Sequence, residues 1–390
     1  MRNDGKKRCA PKTAGLRICH AIFSSPWHVR SGGGQWAAHH LAAAMAGLGH
    51  DVHMIFSRAG QTTPAISLPY TVHWARYHEI CDKAMDFVGQ AAILAGILAH
   101  SRFDIVFCHG ENAFLFPWIC QFKGVPMDAV FHPVRMPAAP KAWNLTGSGG
   151  LLADLDYHML RTVLLRSRRI HVFSERSREV LTRMMPTRYA DLLNCVPAGV
   201  TGDWLSLPQH EPRHAGEPPR LVTWSRLEPI KGLPILLEAF AEVRRVHSNA
   251  TLTVIGEGSQ HTKLEQQAIL LGGGVHFLGK RSPMEIQELC GDFHLAVFPT
   301  LGESFGLAIA EAAASGLPVV ASDVGSVPEV LEHGAIGRLV PPGNSKALTA
   351  TILDVLSRPG EHSAIARQAR LSIGRRFDWT RSALAMLGER

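Results

Sequence analysis

Apolar runs of strand length alternate with segments of helical periodicity along the first half of the chain. The runs that predict strands are 16–23, 51–56, 104–109, 128–132 and 169–174. Helical patterns separate them, the clearest being GQWAAHHLAAAMAGLGH at 34–50. A strand–helix–strand alternation of this kind predicts a mostly parallel sheet with helices on both faces.

The same alternation restarts after a break at 206–220. This segment, SLPQHEPRHAGEPPR, is rich in proline and charge and lacks periodicity, which indicates a domain linker. Beyond it we predict strands at 220–225, 250–256, 275–279, 293–299 and 317–322, and helices at 233–247, 259–271, 283–290 and 306–315. The fold class is therefore α/β. We predict two doubly wound, Rossmann-like domains at 1–205 and 220–374, a linker at 206–219, and a closing amphipathic helix within 375–390.

The composition describes a globular chain with a moderate positive charge. Of the 390 residues, 46% are hydrophobic and 19% are charged, which suits more than one core and argues against disorder. The formal net charge is +7, but no Lys/Arg block or zinc-finger spacing indicates a nucleic-acid partner. The excess charge is either scattered and solvated, or it attracts the protein to an anionic membrane surface.

Cysteine usage and hydropathy bear on location. The seven cysteines are odd in number and include no Cys-x-x-Cys pair, which is typical of a reduced, cytosolic chain. The apolar stretch after the basic N-terminus contains Arg17 and His20 and makes a poor signal peptide. The longest apolar run, 91–99, is far shorter than the roughly 20 residues of a membrane span. We expect a cytoplasmic protein that is either free in solution or peripheral at the inner face of the membrane.

Ligands of open parallel sheets bind beyond the carboxyl ends of the strands, so residues just after strands are the candidates for chemistry. Glu303 follows a buried strand, and the free N–H groups of residues 304–307 begin the next helix, which makes an anion site. Gly306 lets a ligand approach the backbone closely. Glu311 lies within the alanine-rich helix, where a carboxylate needs a partner such as paired sugar hydroxyls; simple exposure of Glu311 is the alternative.

Other strand ends present cations and histidines. Arg226 and Lys231 follow the first strand of the second domain and suit a diphosphate, although each could be an ordinary surface charge. His132 ends one predicted strand, and His109 holds the same place one strand earlier. His132 could donate a hydrogen bond to a substrate oxygen. No histidine pair has ligand spacing together with a third partner, so we predict no metal.

Two glycine-rich segments match a dinucleotide fingerprint only in part. In RSGGGQWAAHH (30–40), eight residues separate strand from glycines, and no acidic residue follows the next strand to hold a ribose. These glycines either bring backbone N–H groups to a phosphate or sugar, or form a flexible loop. In VIGEGSQ (254–260), Gly256 and Gly258 follow a strand, but His261 stands where the third glycine belongs. Both mismatches weaken the alternative of a Rossmann-type NAD(P)-dependent oxidoreductase.

Taken together, these motifs resemble glycosyltransferase family 4 on the GT-B fold. The resemblance covers most of the chain, from SGGGQ and FHP through SRLEPIKG and VIGEGSQ to FPTLGESFGLAIAEAAASGLPVVASDVGSVPEV and FDWTRSAL. It implies a retaining transferase that moves a hexosyl unit from a UDP- or GDP-sugar to a hydroxyl acceptor, a sugar or lipid-linked sugar, without metal or other cofactor. It also implies that a donor phosphate oxygen takes the acceptor proton.

The resemblance also implies roles for residues. Gly33 would lie near the donor sugar or its phosphate, and His132 would contact the transferred sugar. Arg226 and Lys231 would neutralise the diphosphate. Gly256 would belong to the donor-binding set. The remaining implied donor contacts are Glu303 and the turn Ser304, Phe305, Gly306 and Leu307 for sugar hydroxyls and phosphate, and Glu311 for the ribose.

Alternatives to an active transferase are a catalytically inactive nucleotide-sugar-binding partner subunit and, less well matched in length, a phosphorylase.

Two further expectations concern surfaces. The closing helix has apolar residues that need a surface to pack on. The resemblance to GT-B proteins implies that the end of the chain crosses back to the first domain. We therefore expect 375–390 to pack on the N-terminal domain. Residues 151–170 are either a core helix or a basic face toward a membrane.

Overall fold

The computed structural model describes residues 15–22, 24–28, 31–57, 67–75, 84–110, 115–132, 162–184, 187–208, 214 and 216–388. Residues 151–161, in which the proposed basic helix would begin, lie outside this range, and 162–166 are helical. Most of the predicted linker's centre, 209–213 and 215, also lies outside it.

The first sheet consists of parallel strands in the order β3-β2-β1-β4-β5-β6-β7. Its strands are β1 (Arg17–Ile22), β2 (Asp51–Ser57), β3 (Thr71–Ala75), β4 (Ile105–His109), β5 (Met127–Phe131), β6 (Ile170–Val172) and β7 (Leu193–Cys195). Its helices are α1 (Gly33–Gly47), α2 (Ala84–His100), α3 (Phe116–Lys123), α4 (Glu175–Met184) and α5 (Gly202–Leu205). The order reverses at β1, so the carboxyl ends of β1 and β4 flank the point where a ligand is expected.

The second sheet is also parallel, in the order β10-β9-β8-β11-β12-β13. Its strands are β8 (Arg220–Trp224), β9 (Thr251–Ile255), β10 (Val275–Gly279), β11 (Leu295–Phe298), β12 (Val319–Ser322) and β13 (Arg338–Val340). The helices are α6 (Leu233–Val246), α7 (His261–Leu270), α8 (Pro283–Cys290), α9 (Leu307–Ser315), α10 (Val327–Val330), α11 (Ser345–Ser357), α12 (Pro359–Arg376) and α13 (Trp379–Leu387). The predicted doubly wound α/β class is confirmed for both sheets.

All predicted strands are present, with ends within two residues of the prediction, but β3, β7 and β13 were not predicted. Two of these have only three residues, and all three lie at the outer edges of their sheets. Their side chains are mostly half-buried, as in β3 with its pattern of one buried residue in five. Such strands lack the continuous apolar run of a central strand, for example β4, which is buried throughout.

The last helix, α13, returns to the first domain. Asp378 caps its N-terminus by accepting a hydrogen bond from the Arg381 N–H. Trp379 stacks on His40 of α1, with ring centroids 5.5 Å apart, and Ser382 Oγ donates to the Pro197 carbonyl at 2.6 Å. Its buried face consists of Trp379, Ser382, Ala383 and Met386. A helix at the end of the chain therefore joins the two domains.

Direct contacts also bridge the domains beside the cleft. The Glu329 carboxylate of the second domain accepts hydrogen bonds from the N–H groups of Glu175 and Arg176 at 2.9 and 2.7 Å, at the N-terminus of α4. This is the helix end that favours negative charge. Ser174 Oγ donates to the Ser304 carbonyl at 3.0 Å. The two strand-end edges therefore face each other across a cleft whose sides are in contact.

Candidate functional site

The cleft contains a cavity of about 380 Å³ to which both sheets contribute. Every residue predicted for the site lines it: Gly33, His132, Arg226, Lys231, Gly256, Glu303, Ser304, Phe305, Gly306, Leu307 and Glu311. They come from segments that lie up to 278 positions apart, between Gly33 and Glu311, and the strand-end geometry of two parallel sheets brings them together.

The glycines at the start of α1 lie close to side chains of both domains. A Cβ atom on Gly32 would lie 2.9 Å from Arg226 Nε, and one on Gly33 would lie 3.4 Å from Leu307 Cδ1. Gly34 packs within the first domain, where a Cβ would lie 3.5 Å from His132 Cγ. The Gln35 side chain accepts a hydrogen bond from the Gly32 N–H at 2.9 Å. The glycine segment is thus an ordered helix start pressed against the second domain, rather than a flexible loop.

The turn before α9 has the geometry that the sequence suggests. Gly306 is the N-cap residue and adopts φ +91°, a left-handed conformation that favours glycine. The Phe305 side chain is 5% exposed and packs edge-on against Phe377 at 5.1 Å. Its ring therefore anchors the turn in the core, and only its backbone is available to a ligand. Position 256 also requires glycine for steric reasons, because a Cβ there would lie 1.8 Å from the Ser225 carbonyl oxygen.

Lys231 and Glu303, both from the second domain, form an ion pair at the cavity. Lys231 Nζ lies 2.5 Å from Glu303 Oε2, and the two side chains are 19% and 15% exposed. Gly232 makes the turn after Lys231 possible: its φ is +66°, and a Cβ there would lie 2.1 Å from the Pro299 carbonyl oxygen. The sequence suggested separate ligands for these two charges, and the structure shows that each has the other as a partner.

Glu311 has a partner that sequence reasoning missed. Trp224 Nε1 donates a hydrogen bond to Glu311 Oε2 at 3.2 Å. Burial raises the pKa of Glu311 to about 7, and the Trp224 hydrogen bond partly opposes that rise. Trp224 ends β8, one position before Ser225, so the strand-end rule that selected Arg226 was the signal available for it.

Lys280 is a further cation in the cavity that was not predicted. Its Nζ donates to Ser31 Oγ at 2.8 Å and to the carbonyl oxygen of His28, both in the first domain. Burial lowers the pKa of Lys280. It directly follows β10, as Arg226 follows β8, and the same rule applied to VHFLGKR would have found it. Lys280 thus ties the loop before α1 to the second domain.

His132 lies at the end of β5 and is hydrogen-bonded to other histidines. Its Nε2 is 2.8 Å from His109 Nδ1, and His109 Nε2 is 3.0 Å from His20 Nδ1. Burial lowers the pKa of His132 to about 4 and that of His20 to about 3, and it lowers the pKa of His109 as well. These imidazoles are therefore neutral at physiological pH. Within the described ranges, no group of three or more His, Cys, Asp or Glu side chains could hold a metal ion.

Two family models match the chain, one on each side of the cleft. The model described as glycosyltransferase family 4 matches residues 31–200, and that described as glycosyl transferases group 1 matches residues 209–372. A glycogen synthase of Mycobacterium tuberculosis is 28% identical over 401 residues, covering 95% of this chain and 93% of that protein. A phosphatidyl-myo-inositol mannosyltransferase of Mycobacterium leprae is 29% identical over 384 residues, covering 93% and 92%.

Solved structures resemble the whole chain. Sucrose-phosphate synthase from Thermosynechococcus elongatus superimposes with a TM-score of 0.76 at 19% identity, covering 96% of this chain and 98% of that one. Anabaena HepE in complex with UDP-glucose gives a TM-score of 0.74 at 19% identity, with the same coverage. These likenesses confirm the predicted GT-B arrangement of two Rossmann-like domains.

Proposed function

Because the chain belongs to glycosyltransferase family 4, we propose that it transfers a hexosyl unit from a nucleotide-diphosphate sugar, a UDP- or GDP-sugar, to a hydroxyl acceptor in polysaccharide, glycolipid or glycoconjugate synthesis. One observation supports the donor class above all. Two cations, Arg226 and Lys231, line the same cavity as the N-terminus of α9 and the carboxylate of Glu311. This set offers positive charge for a diphosphate, and Glu311 together with Glu303 of the same cavity offers oxygen acceptors for sugar hydroxyls.

In this proposal each group has one task. Arg226, Lys231 and the backbone N–H groups at Ser304–Leu307 neutralise the diphosphate and stabilise it as it leaves. Glu303 accepts hydrogen bonds from hydroxyls of the transferred sugar, and Glu311 accepts them from the ribose. Gly33 and Gly256, which line the cavity, present their backbone to the donor.

Retention of configuration and independence of metal are further parts of the proposal. Glu303, the carboxylate that we place at the transferred sugar, has its Oε2 engaged by Lys231 Nζ at 2.5 Å, so this oxygen acts as a hydrogen-bond acceptor rather than as a free nucleophile. Attack from the face that the diphosphate leaves, with a phosphate oxygen taking the acceptor proton, then needs no protein base. Product NMR decides the stereochemistry: an α-configured donor should give an α-linked product, and turnover should persist in EDTA. An inverted anomer would contradict this mechanism.

Ligand-induced thermal stabilisation tests the donor class. UDP, GDP and their glucosyl and mannosyl derivatives form the panel, since relatives of this chain are named for glucan synthesis and mannosyl transfer. A true ligand at a hundred times its dissociation constant stabilises the fold by about 2.7 kcal/mol. Lys231→Met should abolish the shift, whereas Lys263→Met, an exposed lysine on α7, should not. A shift with NAD(P) and none with nucleotide sugars would favour the oxidoreductase alternative, and binding without turnover would favour an inactive partner subunit.

An anionic membrane surface is proposed as the place where the protein meets a lipid-linked acceptor. No helix in the described part of the chain has the length and apolar character needed to span a bilayer. Arg166 lies 5.0 Å from the Trp118 ring of α3, and Phe122 on the same helix is 85% exposed. Arg168 is partly neutralised by Asp128 at 2.9 Å. Co-sedimentation with anionic vesicles at low salt, reduced by Phe122→Ala, would support this location, and its absence would favour a soluble acceptor.

A further inference from the structure

Three histidines form a continuous chain from the cleft into the core of the first domain. His132 lines the cavity, His109 follows at 2.8 Å, and His20 at a further 3.0 Å. His20 is fully buried, and its remaining nitrogen, Nε2, faces Met45 Sδ at 3.3 Å. The histidine chain (His20, His109 and His132) therefore ends on a thioether, which accepts hydrogen bonds weakly and donates none.

The contact with Met45 at the inner end of the histidine chain favours one donor-to-acceptor direction for the hydrogen bonds along it. Each neutral imidazole has one N–H, so each link needs a donor on one ring and an acceptor on the next. With the proton of His20 on Nε2, it points at the Met45 sulfur, and His20 Nδ1 accepts from His109. With the proton on Nδ1, the lone pair of Nε2 faces the lone pairs of sulfur, and a buried polar atom stays unsatisfied, which is costly. The first arrangement is therefore preferred.

The preferred direction continues outward to the cleft. His109 donates through Nε2 to His20, so its Nδ1 accepts from His132 Nε2–H. His132 then has no proton on Nδ1. A Cβ on Gly34 would lie 3.6 Å from this nitrogen, and both residues line the cavity.

We propose that His20 and His109 are positioning residues that hold His132 with its proton on Nε2, so that Nδ1 is offered to the cleft as a hydrogen-bond acceptor for a hydroxyl of the sugar substrate. This inference rests on the proposed function for the identity of the hydroxyl, but the proton position follows from the chain alone. It reverses the role expected from the sequence, in which His132 donates to a substrate oxygen. The site then recognises a hydroxyl that donates, rather than a carbonyl or phosphate oxygen.

The histidine chain orients His132 and does not conduct protons away from the cleft. A proton taken up at His132 Nδ1 and relayed inward would leave His20 doubly protonated beside Met45. Burial strongly opposes a charge there, since it lowers the pKa of His20 to about 3. No described group beyond Met45 in this chain of contacts accepts the proton. The function of the chain is thus the choice of tautomer.

Two-bond ¹H–¹⁵N NMR correlation spectra of the ¹⁵N-histidine-labelled protein test the proposal directly, because they distinguish protonated from unprotonated ring nitrogens. The His132 signals are assigned by their loss in His132→Phe. We expect His132 Nε2 protonated and Nδ1 unprotonated in the wild-type protein. A protonated Nδ1 would overturn the proposal. This readout needs no substrate, so a protein with the expected spectrum but no transfer from any nucleotide sugar would keep the tautomer assignment and refute the proposed function.

Met45→Leu removes the sulfur while conserving volume, and Met127→Leu, at the other end of β5 from His132, is the matched control. Loss of the acceptor should let both hydrogen-bond directions populate, giving mixed His132 signals. We expect kcat to fall about fivefold, the worth of one typical hydrogen bond, with KM for the nucleotide little changed. Met127→Leu should alter neither the spectrum nor kcat. A single unchanged tautomer in Met45→Leu would show that the sulfur does not set the direction.

Discussion

The raised pKa of Glu311 predicts that nucleotide binding weakens in mild acid. Burial raises this pKa to about 7, and the hydrogen bond from Trp224 Nε1 only partly opposes it. Ribose hydroxyls that donate to the carboxylate favour its ionised form. With a pKa of about 7, the ionised fraction falls from roughly nine-tenths at pH 8 to roughly one-tenth at pH 6, so the dissociation constant should rise about tenfold.

Calorimetric titration with UDP and GDP between pH 6 and pH 8 measures this dependence. The terminal phosphate of each nucleotide also titrates, with a pKa of about 6, so the wild-type affinity alone is ambiguous. Glu311→Gln keeps the shape and the Trp224 contact but removes the carboxylate titration. The ratio of wild-type to variant affinity therefore isolates Glu311. A ratio that does not change across this range would refute the reasoning.

The same shift makes a prediction about stability without ligand. A carboxyl whose pKa rises on folding, here from 4.5 to about 7, adds most to the free energy of unfolding below pH 4.5. This stabilisation is lost as the pH rises through 7. The ionised form is then a buried charge. Glu311→Gln should be more stable than the wild type at pH 8, by at most about 3 kcal/mol, and this advantage should shrink toward pH 5. Denaturant unfolding at the two pH values provides the comparison, and a difference independent of pH would contradict the assignment.

Three further predictions concern individual side chains. Lys231→Met should lower turnover by roughly 10²-fold, whereas Lys263→Met should not; equal rates would remove Lys231 from the site. By titration, Glu303→Gln should weaken nucleotide-sugar binding more than binding of the bare nucleotide, whereas Glu311→Ala, which loses the ribose contact, should weaken both; equal losses of bare-nucleotide affinity in the two variants would contradict this division. Trp379→Ala should cost roughly 3–5 kcal/mol of unfolding free energy, because it empties the junction between α13 and α1, and a cost under about 1 kcal/mol would argue against that packing.

Strand ends were the informative part of the sequence. In a parallel sheet all carboxyl ends share one edge, so Glu303 and Arg226 could be assigned to that edge of the second sheet and His132 to that edge of the first before their distances were known. The same reasoning applies to Trp224 and Lys280, which were passed over because one ends an apolar run and the other resembles an ordinary surface charge. Edge strands such as β13 (Arg338–Val340) were not predicted because three residues, of which only Val340 is buried, give too little periodicity.

The sequence also could not predict which side chains pair with one another, and the reason is a different one. The contact between His20 and His109 depends on β1 and β4 being neighbours, with His20 level with Phe107 in the register. Chain order does not give this adjacency, because β2 and β3 intervene between the two strands in sequence but lie on the other side of β1 in the sheet. His20 therefore looked like a residue within a strand, and only the sheet order reveals it as the inner end of the histidine chain.

The ion pair of Lys231 and Glu303 shows what such pairings imply for binding. In the free protein each side chain satisfies the other at 2.5 Å, so a cleft rich in charge is partly neutral before the donor arrives. In the proposed function, a diphosphate would compete with Glu303 for Lys231, and the sugar hydroxyls would then replace the ammonium group as partners of Glu303. Neither exchange alone leaves every charge satisfied, whereas the two together do. The binding free energy of a donor that brings both phosphate and sugar should therefore be more favourable than the sum of the contributions of the two parts. This coupling is a reason for Lys231 and Glu303 to be neighbours rather than to lie at opposite ends of the site.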